Sequence, residues 1–309
     1  MKRALVIGSG YLGSAIRRGF TAAGMFAATG SRSRPPGDDV AWHHLDVLDR
    51  EPIDVVLCAL QPDVIVLVHG PSDITWCEAH PDDAMRVHLS GAVNVAQLAG
   101  GARIILVSTD NVFPGADFSY PESAPIAPYN AYARAKAAAE SVILSASNGA
   151  VLRTSLVYGW QRDRYRQNFF AACHAALSGG RPFAAPSDHW VTPVLVDDLV
   201  DATIRMLDAP RAALVHVGSP RPVSRYDWAC AIADAFALDR DLVSGASKEA
   251  TIYRCRPPRA CLRSERIGQL TSFDGFFVRD FEAGLDALRS QYINLTELAS
   301  DLRPIHGSH

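Results

Sequence analysis

Four apolar residues, Ala4-Leu5-Val6-Ile7, run straight into Gly8-Ser9-Gly10-Tyr11-Leu12-Gly13. Ser14-Ala15-Ile16-Arg17-Arg18-Gly19-Phe20 follows with apolar positions at helical spacing. Strand, G-x-G-x-x-G and helix, in that order, is the opening of a dinucleotide-binding α/β sheet. The glycines let the backbone turn tightly and approach a pyrophosphate, and the helix start offers free N–H groups and the positive end of its dipole. The chain is therefore expected to form a doubly wound parallel sheet. Gly8, Gly10, Tyr11, Leu12 and Gly13 are expected to lie along the phosphates.

The chain's 309 residues suffice for one large α/β unit or two modest domains with a real core. A net charge of −3 carries no global pull toward nucleic acid or an anionic membrane. Met1-Lys2-Arg3 leads directly into the first strand, a run too short for a signal segment, and no later stretch reaches membrane length. Cys58, Cys77, Cys173, Cys230, Cys255 and Cys261 form no C-x-x-C pair. Scattered thiols of this kind fit a reducing cytoplasm, with neither a disulfide frame nor a zinc site. His43-His44 and the tail from His306 to His309 lack metal-ligand spacing with an acidic partner, so no metal is expected.

Met25 to Thr29 reads as a second strand, ending at Gly30-Ser31-Arg32-Ser33-Arg34. An NAD site would usually place an acid here for the ribose 2′-hydroxyl. Ser31 and Arg32 suit a 2′-phosphate instead, which predicts NADP(H). His44-Leu45-Asp46-Val47 ends a third strand, with Asp46 placed to accept from the adenine amino group. Pro62 to Val68 is a β-branched run suited to a strand covered on both faces, and His69-Gly70 follows its carboxyl end, where ligands bind in such sheets. Pro81 to Leu98 reads as helix, and Arg103 to Val107 as another buried strand leading into Ser108-Thr109-Asp110-Asn111. A proline-rich loop, Pro121 to Pro128, precedes a helix carrying Tyr132-Ala133-Arg134-Ala135-Lys136. Tyr and Lys four apart share a helix face. An ammonium beside a phenol lowers its pKa, so the tyrosine is suited to proton transfer at a carbonyl or alcohol oxygen. Val151 to Val157 reads as strand.

Beyond that strand, Arg162, Arg164 and Arg166 cluster before Asn168-Phe169 as a candidate grip on a diphosphate. Phe170 to Leu177 reads as helix. Asp197 or Asp198 reads as the N-cap of a helix from Leu199 to Leu207. Leu214 to Val217 is a short strand. Ser224 to Ala237 is an amphipathic helix with Trp228, Ile232 and Phe236 on its core stripe, and Phe281 to Leu302 has helical periodicity. Gly37-Asp38-Asp39 reads as a local turn.

With these segments in order, the chain resembles the extended short-chain dehydrogenase/reductases, and within them the dTDP-4-dehydrorhamnose reductase group. The likeness rests on Ser108-Thr109-Asp110-Asn111-Val112-Phe113-Pro114-Gly115, Tyr132 to Lys136, and Leu152 to Gly159. It continues through Asn168-Phe169, Asp188 to Pro193, and Arg256-Pro257 ahead of Leu262. The resemblance implies Tyr132 as general acid. Lys136 would tune it and hold the nicotinamide ribose, and Thr109 would bond the substrate carbonyl. It implies cofactor contacts from the glycine turn, Ser31, Arg32, Asp46, Val47, His69 and Gly70. Asn111, Asn168, Trp190 and Arg256 would meet the substrate. Residues 1–158 would form the dinucleotide-binding domain and 159–309 a smaller substrate-binding region, with about 191–217 returning to the main domain.

The implied activity is NADPH-dependent reduction of a ketone, the 4-keto group of a nucleoside-diphosphate deoxysugar, by a cytoplasmic enzyme. Its partners would be that small molecule and no nucleic acid or membrane, with a homodimer possible. Two rival readings keep the fold: a nucleotide-sugar epimerase or dehydratase that recycles NAD, and a non-catalytic NADP-binding subunit like that of methionine adenosyltransferase. The chain also departs from the group's pattern. The glycine turn has the shorter spacing. Leu67-Val68-His69-Gly70 stands where Asn-Ala-Ala-Ala is common, His88 replaces an Asn, and Asn111 replaces a Tyr.

Overall fold

The computed structural model describes residues 1–35, 41–161 and 166–301. The first half runs β1 (Arg3–Ile7), α1 (Tyr11–Ala22), β2 (Phe26–Ser31), β3 (Trp42–His44), α2 (Arg50–Leu60), β4 (Val64–Leu67), α3 (Ile74–Ala79), α4 (Pro81–Met85), α5 (Gly91–Leu98), β5 (Arg103–Thr109), α6 (Ala131–Ser145) and β6 (Gly149–Thr154). The second half runs β7 (Val157–Tyr158), α7 (Phe169–Ser178), β8 (Phe183–Pro186), β9 (Trp190–Val191), β10 (Val194–Leu195), α8 (Val196–Arg205), β11 (Leu214–Val217), β12 (Val223–Ser224), α9 (Arg225–Ala235), β13 (Val243–Ala246) and α10 (Phe281–Asp301). Seven parallel strands make the central sheet in the order β11-β6-β5-β4-β1-β2-β3. The order reverses between β1 and β4, and the crevice there lies at strand carboxyl ends, the usual place for a ligand.

Alternation along the strands divides the core into two layers. Ala4, Val6, Val64 and Val66 face one side and pack with Ile16, Phe20, Leu199 and Ala202 of α1 and α8. Leu5, Ile7, Ile65 and Leu67 face the other and pack with Ile53, Leu57, Val95 and Ile143 of α2, α5 and α6. Both faces are covered, which is why β4 is apolar at every position and wholly buried. A third core joins α7, α9 and α10. Trp228 and Ile232 are buried in it and Phe236 packs against its edge, as the stripe on α9 predicts.

Some local expectations change. The strand expected over 151–157 breaks after Thr154. Val157–Tyr158 is a separate strand paired with Val194–Leu195. The helix expected over 81–98 contains a π turn at Arg86–Ser90. Neither Asp197 nor Asp198 caps α8, because the helix begins earlier, after Leu195. Asp198 instead accepts from the Arg279 backbone at 2.9 Å and from its guanidinium at 2.6 Å, and Asp197 accepts from Gln291. Both carboxylates sit in the first helical turn but tie down the chain around α10. Gly37–Asp39, Arg162, Arg164 and the tail from His306 lie outside the described residues. Among those described, no helix is long and apolar enough to cross a membrane.

Candidate active site

A cleft of about 1030 Å³ opens along the carboxyl ends of β1, β4 and β5 and extends to α7 and α9. Lining it are the glycine turn, Ser31, Arg32, Asp46, Val47, His69, Gly70, Thr109, Asn111, Tyr132, Lys136, Asn168, Trp190 and Arg256, together with Arg166 of the predicted diphosphate grip. Its volume exceeds that of an ordinary small-ligand pocket and has room for two ligands end to end.

At the β1 end the surface is largely backbone. A methyl group at Gly13 would fall 1.9 Å from the Gly8 carbonyl oxygen, so the turn itself requires glycine there. A methyl group at Gly10 would meet nothing within 4 Å, which leaves open space at the start of α1. Gly10 is the N-cap and no side chain caps the helix, so the first turn's N–H groups are available to an anion. This cradle fits a dinucleotide pyrophosphate. Ser31 is already engaged: its hydroxyl donates to the Ser33 carbonyl at 2.7 Å and accepts from Trp42 Nε1 at 3.0 Å. Arg32 stands exposed beside it on the cleft wall. Asp46 Oδ1 accepts from the Leu48 backbone.

Tyr132 lies in the first turn of α6. Two side chains hold that turn: Asn130 accepts from Ala133 N at 2.9 Å, and Glu78 accepts from Ala131 N at 2.8 Å. The Asn130 amide also donates to Asn111 and to the Cys255 carbonyl, which joins the end of β5, the start of α6 and a distant loop. The Tyr132 hydroxyl has no hydrogen-bond partner among the described residues, and its ring meets the edge of His88 at 5.5 Å. Lys136 is buried, with Nζ 6.0 Å from the Tyr132 ring centre and donating to the Val107 carbonyl at 2.9 Å.

The sequence predicts a phenol made more acidic by this lysine. In the protein alone the balance runs the other way. Burial, with a smaller push from Cys77 and Asp110, raises the Tyr132 pKa, and Lys136 is not among the causes. Burial likewise pulls Lys136 down to about 8. The reason is geometric: the ammonium is committed to a carbonyl rather than to the phenol. Tyr132 is accordingly protonated at neutral pH, the form that gives up a proton.

Thr109 Oγ1 donates to Asp110 Oδ1 at 3.1 Å and accepts from the backbone and side-chain nitrogens of Asn111. Asp110 also accepts from Ser155 at 2.6 Å and from Asn111 at 2.7 Å. Threonine and asparagine line the cleft, yet their polar atoms are engaged with one another. His69 and His88 are buried in the same wall, with ring centres 5.9 Å apart. His88 donates from Nε2 to the Pro71 carbonyl at 3.1 Å, in space that a side chain at Gly70 would fill. Neither ring nitrogen of His69 completes a hydrogen bond, although the Val87 and His88 backbones lie close by. Burial lowers the pKa of both histidines, that of His69 to about 4, so both rings are neutral near pH 7.

Side chains build the far end. Asn168 caps α7 through Ala171 N and donates to Gly159 and Gln161, so its amide is spent on structure. Trp190 stands edge-on to Phe118. Arg256 lies 5.0 Å over the Tyr253 ring and donates to the Ile252 carbonyl. Arg166 pairs with Asp73 at 3.2 Å. Two residues at this end were missed from the sequence, Arg225 and His189. A signal was present for Arg225: with Trp228, Ala229 and Ile232 it occupies the i, i+3, i+4, i+7 register of the buried face of α9. Among the described residues, no cluster of side chains is arranged to hold a metal.

The chain belongs to the RmlD substrate binding domain family, which it matches over residues 1–292. It is similar to methionine adenosyltransferase 2 subunit beta of Rattus norvegicus, at 29% identity over 88% of this chain and 85% of that protein. A probable low-salt glycan biosynthesis reductase of Haloferax volcanii is 28% identical over 92% of this chain and 97% of its own length. A crystal structure of dTDP-4-dehydrorhamnose reductase from Bacillus anthracis in complex with NADP shares the fold. Its TM-score is 0.82 at 22% identity, covering 94% of this chain and 99% of that one.

Proposed function

We propose that this protein reduces a ketone with NADPH, the ketone being the 4-keto group of a nucleoside-diphosphate deoxysugar. The observation that carries the reading is the uncommitted, protonated Tyr132 phenol in the cleft wall, with Thr109 and Lys136 lining the same cleft. Residues 1–158 would hold the dinucleotide and 159–309 the sugar. The glycine turn would take the pyrophosphate, and Arg32 would meet the 2′-phosphate. Bound NADPH supplies a hydride. Tyr132 gives its proton to the carbonyl oxygen as charge develops there. The Thr109 hydroxyl turns its hydrogen from Asp110 toward that same oxygen, while Asp110 keeps Ser155 and Asn111. Lys136 places positive charge behind the phenol and stabilises the tyrosinate left after transfer. Arg256 draws the diphosphate into the outer cleft. A panel of nucleotide-activated 4-ketosugars, followed at the nicotinamide absorbance, tests the reading. NADPH is expected to be consumed with at least one of them and spared by Tyr132→Phe. Retention of near wild-type rates by that variant removes Tyr132 as the acid.

A second reading is a non-catalytic subunit, and the similarity to methionine adenosyltransferase 2 subunit beta across most of both chains favours it. Stoichiometric capture of a methionine adenosyltransferase, with no turnover of any ketosugar, would support this reading over the first.

A further inference from the structure

Arg225 is the first residue of α9 and is 3% exposed. Its Nε donates to His189 Nδ1 at 2.9 Å, and its backbone N–H donates to the His189 carbonyl at 3.0 Å. His189 must therefore be neutral, with its lone pair on Nδ1, and brings no negative charge. The guanidinium lies 4.1 Å over the Tyr253 ring and 5.0 Å over the Phe169 ring, in the corner between them. Nη1 is buried with no hydrogen-bond partner among the described residues. The carboxylate that acts on Arg225, Asp110, makes its hydrogen bonds elsewhere, to Ser155, Asn111 and Thr109. Burial lowers the Arg225 pKa only to about 10, so the group remains a cation at neutral pH.

A buried cation that feels a carboxylate only at a distance, with no direct ion pair, is unfavourable in the empty protein and is compensated when an anion arrives. Two aromatic rings and a histidine leave the Nη1 donors of the planar fork unspent, and a planar oxyanion matches such an edge with two parallel hydrogen bonds. Arg225 shares the Tyr253 ring with Arg256, and the Arg256 charge acts on it. What differs is the rest of their surroundings: Arg256 also feels Arg166 and Asp73, which pair toward the outer cleft, whereas Arg225 also feels Asp110 beside Thr109. The anion that Arg225 serves therefore lies inward of the one that Arg256 serves, toward Thr109 and the reacting carbon.

We infer that Arg225, seated on His189, receives a carboxylate carried by the substrate's sugar ring, so that the preferred substrate is a nucleotide-linked sugar acid. The inference rests on the nucleotide-sugar reading above and narrows it.

Titration calorimetry of the NADP-loaded full chain with dTDP- and UDP-linked glucuronate, against glucose on the same nucleotide, tests it. The glucuronate form is expected to bind at least about tenfold more tightly. Arg225→Gln should bring the two sugars within about twofold while leaving UDP and dTDP alone unchanged, and Arg225→Lys should keep part of the preference. Equal affinity of the wild-type protein for both sugars, including none for either, overturns the inference whatever the variants do. So does a preference that survives Arg225→Gln. A loss of free UDP or dTDP binding equal to the loss of glucuronate binding places Arg225 on the diphosphate and also overturns it. Acid preference without NADPH consumption by any ketosugar would defeat the reductase reading alone. Reduction of neutral ketosugars without acid preference would defeat this inference alone.

Discussion

At the β1 end of the cleft the ligand-facing surface is main chain: a glycine turn, the start of α1, and strand ends set by the sheet. At the α9 end it is side chains from distant segments, with Phe169, His189, Arg225, Tyr253 and Arg256 meeting around two guanidinium groups. The first construction serves any dinucleotide, because a phosphate reads backbone N–H groups. The second can change its ligand by single substitutions while the sheet stays the same. Tyr132 stands between them. Its removal should therefore leave binding at both ends intact and stop chemistry: Tyr132→Phe is expected to lower kcat by about 10³-fold or more. Calorimetry with NADP should show affinity within about twofold of wild type. A large loss of NADP binding would mean that the phenol supports the cofactor end rather than the reaction.

The two constructions should also fail differently. Gly13→Ala places a methyl group against the Gly8 carbonyl, in a turn the whole sheet depends on. It should destabilise the fold by about 3 kcal/mol, read from denaturant unfolding, and weaken all dinucleotide binding. Gly10→Ala should leave the fold unchanged, because nothing stands near the added methyl. Arg256→Gln, by contrast, should raise KM for the nucleotide sugar about 20-fold with kcat and unfolding near wild type. A fall in kcat equal to the rise in KM would show that Arg256 also sets the position of the ketone. Smaller still, Arg32→Ala should weaken NADPH about tenfold and leave NADH unchanged. Equal loss for both cofactors would remove Arg32 from the 2′-phosphate.

Legibility from the sequence divides along the same line. Gly8 to Gly13, Thr109, Tyr132 and Lys136 were readable because local order places them: each follows a strand or opens a helix, and parallel strands bring their carboxyl ends to one edge. Where the sequence misled, tertiary contacts outweighed local habit. Lys136 was read as a partner of Tyr132 and instead bonds a β5 carbonyl. Asn168 and Asn111, expected at the ligand, do line the cleft, but their amides also serve a helix cap and Thr109, roles that no local pattern announces. The buried network in which Glu140 binds Arg153 and Ser108, and Arg153 reaches His216, joins residues up to 108 positions apart and leaves no pattern at any spacing. Arg225 is the instructive intermediate. Its register on α9 announces burial, and only the unpartnered Nη1, seen in three dimensions among the described residues, gives that burial a meaning.

The smallest expected effect bears on which end responds to pH. At the α9 end neither Arg225 nor His189 should titrate between pH 6 and 9. Arg225 stays charged below about 10, and burial together with the surrounding cations Arg225, Arg256 and Lys248 holds His189 neutral. In the cofactor-side wall His69 is neutral above about pH 4, His88 is held well below its ordinary value by burial and nearby Lys136, and the raised Tyr132 keeps its proton throughout. That leaves Lys136, pulled down to about 8. The protonated lysine is the active form, so its loss falls on the alkaline side: kcat/KM, which reports the free enzyme, should be halved near pH 8 and continue down as a one-proton limb. Lys136→Met should be slow and flat over the same range. A limb that persists in that variant would assign the titration to another group. If that limb also moved with the identity of the sugar, the α9 end would hold a titrating group of its own, and the contrast between a backbone-built and a side-chain-built end would have to be redrawn around it.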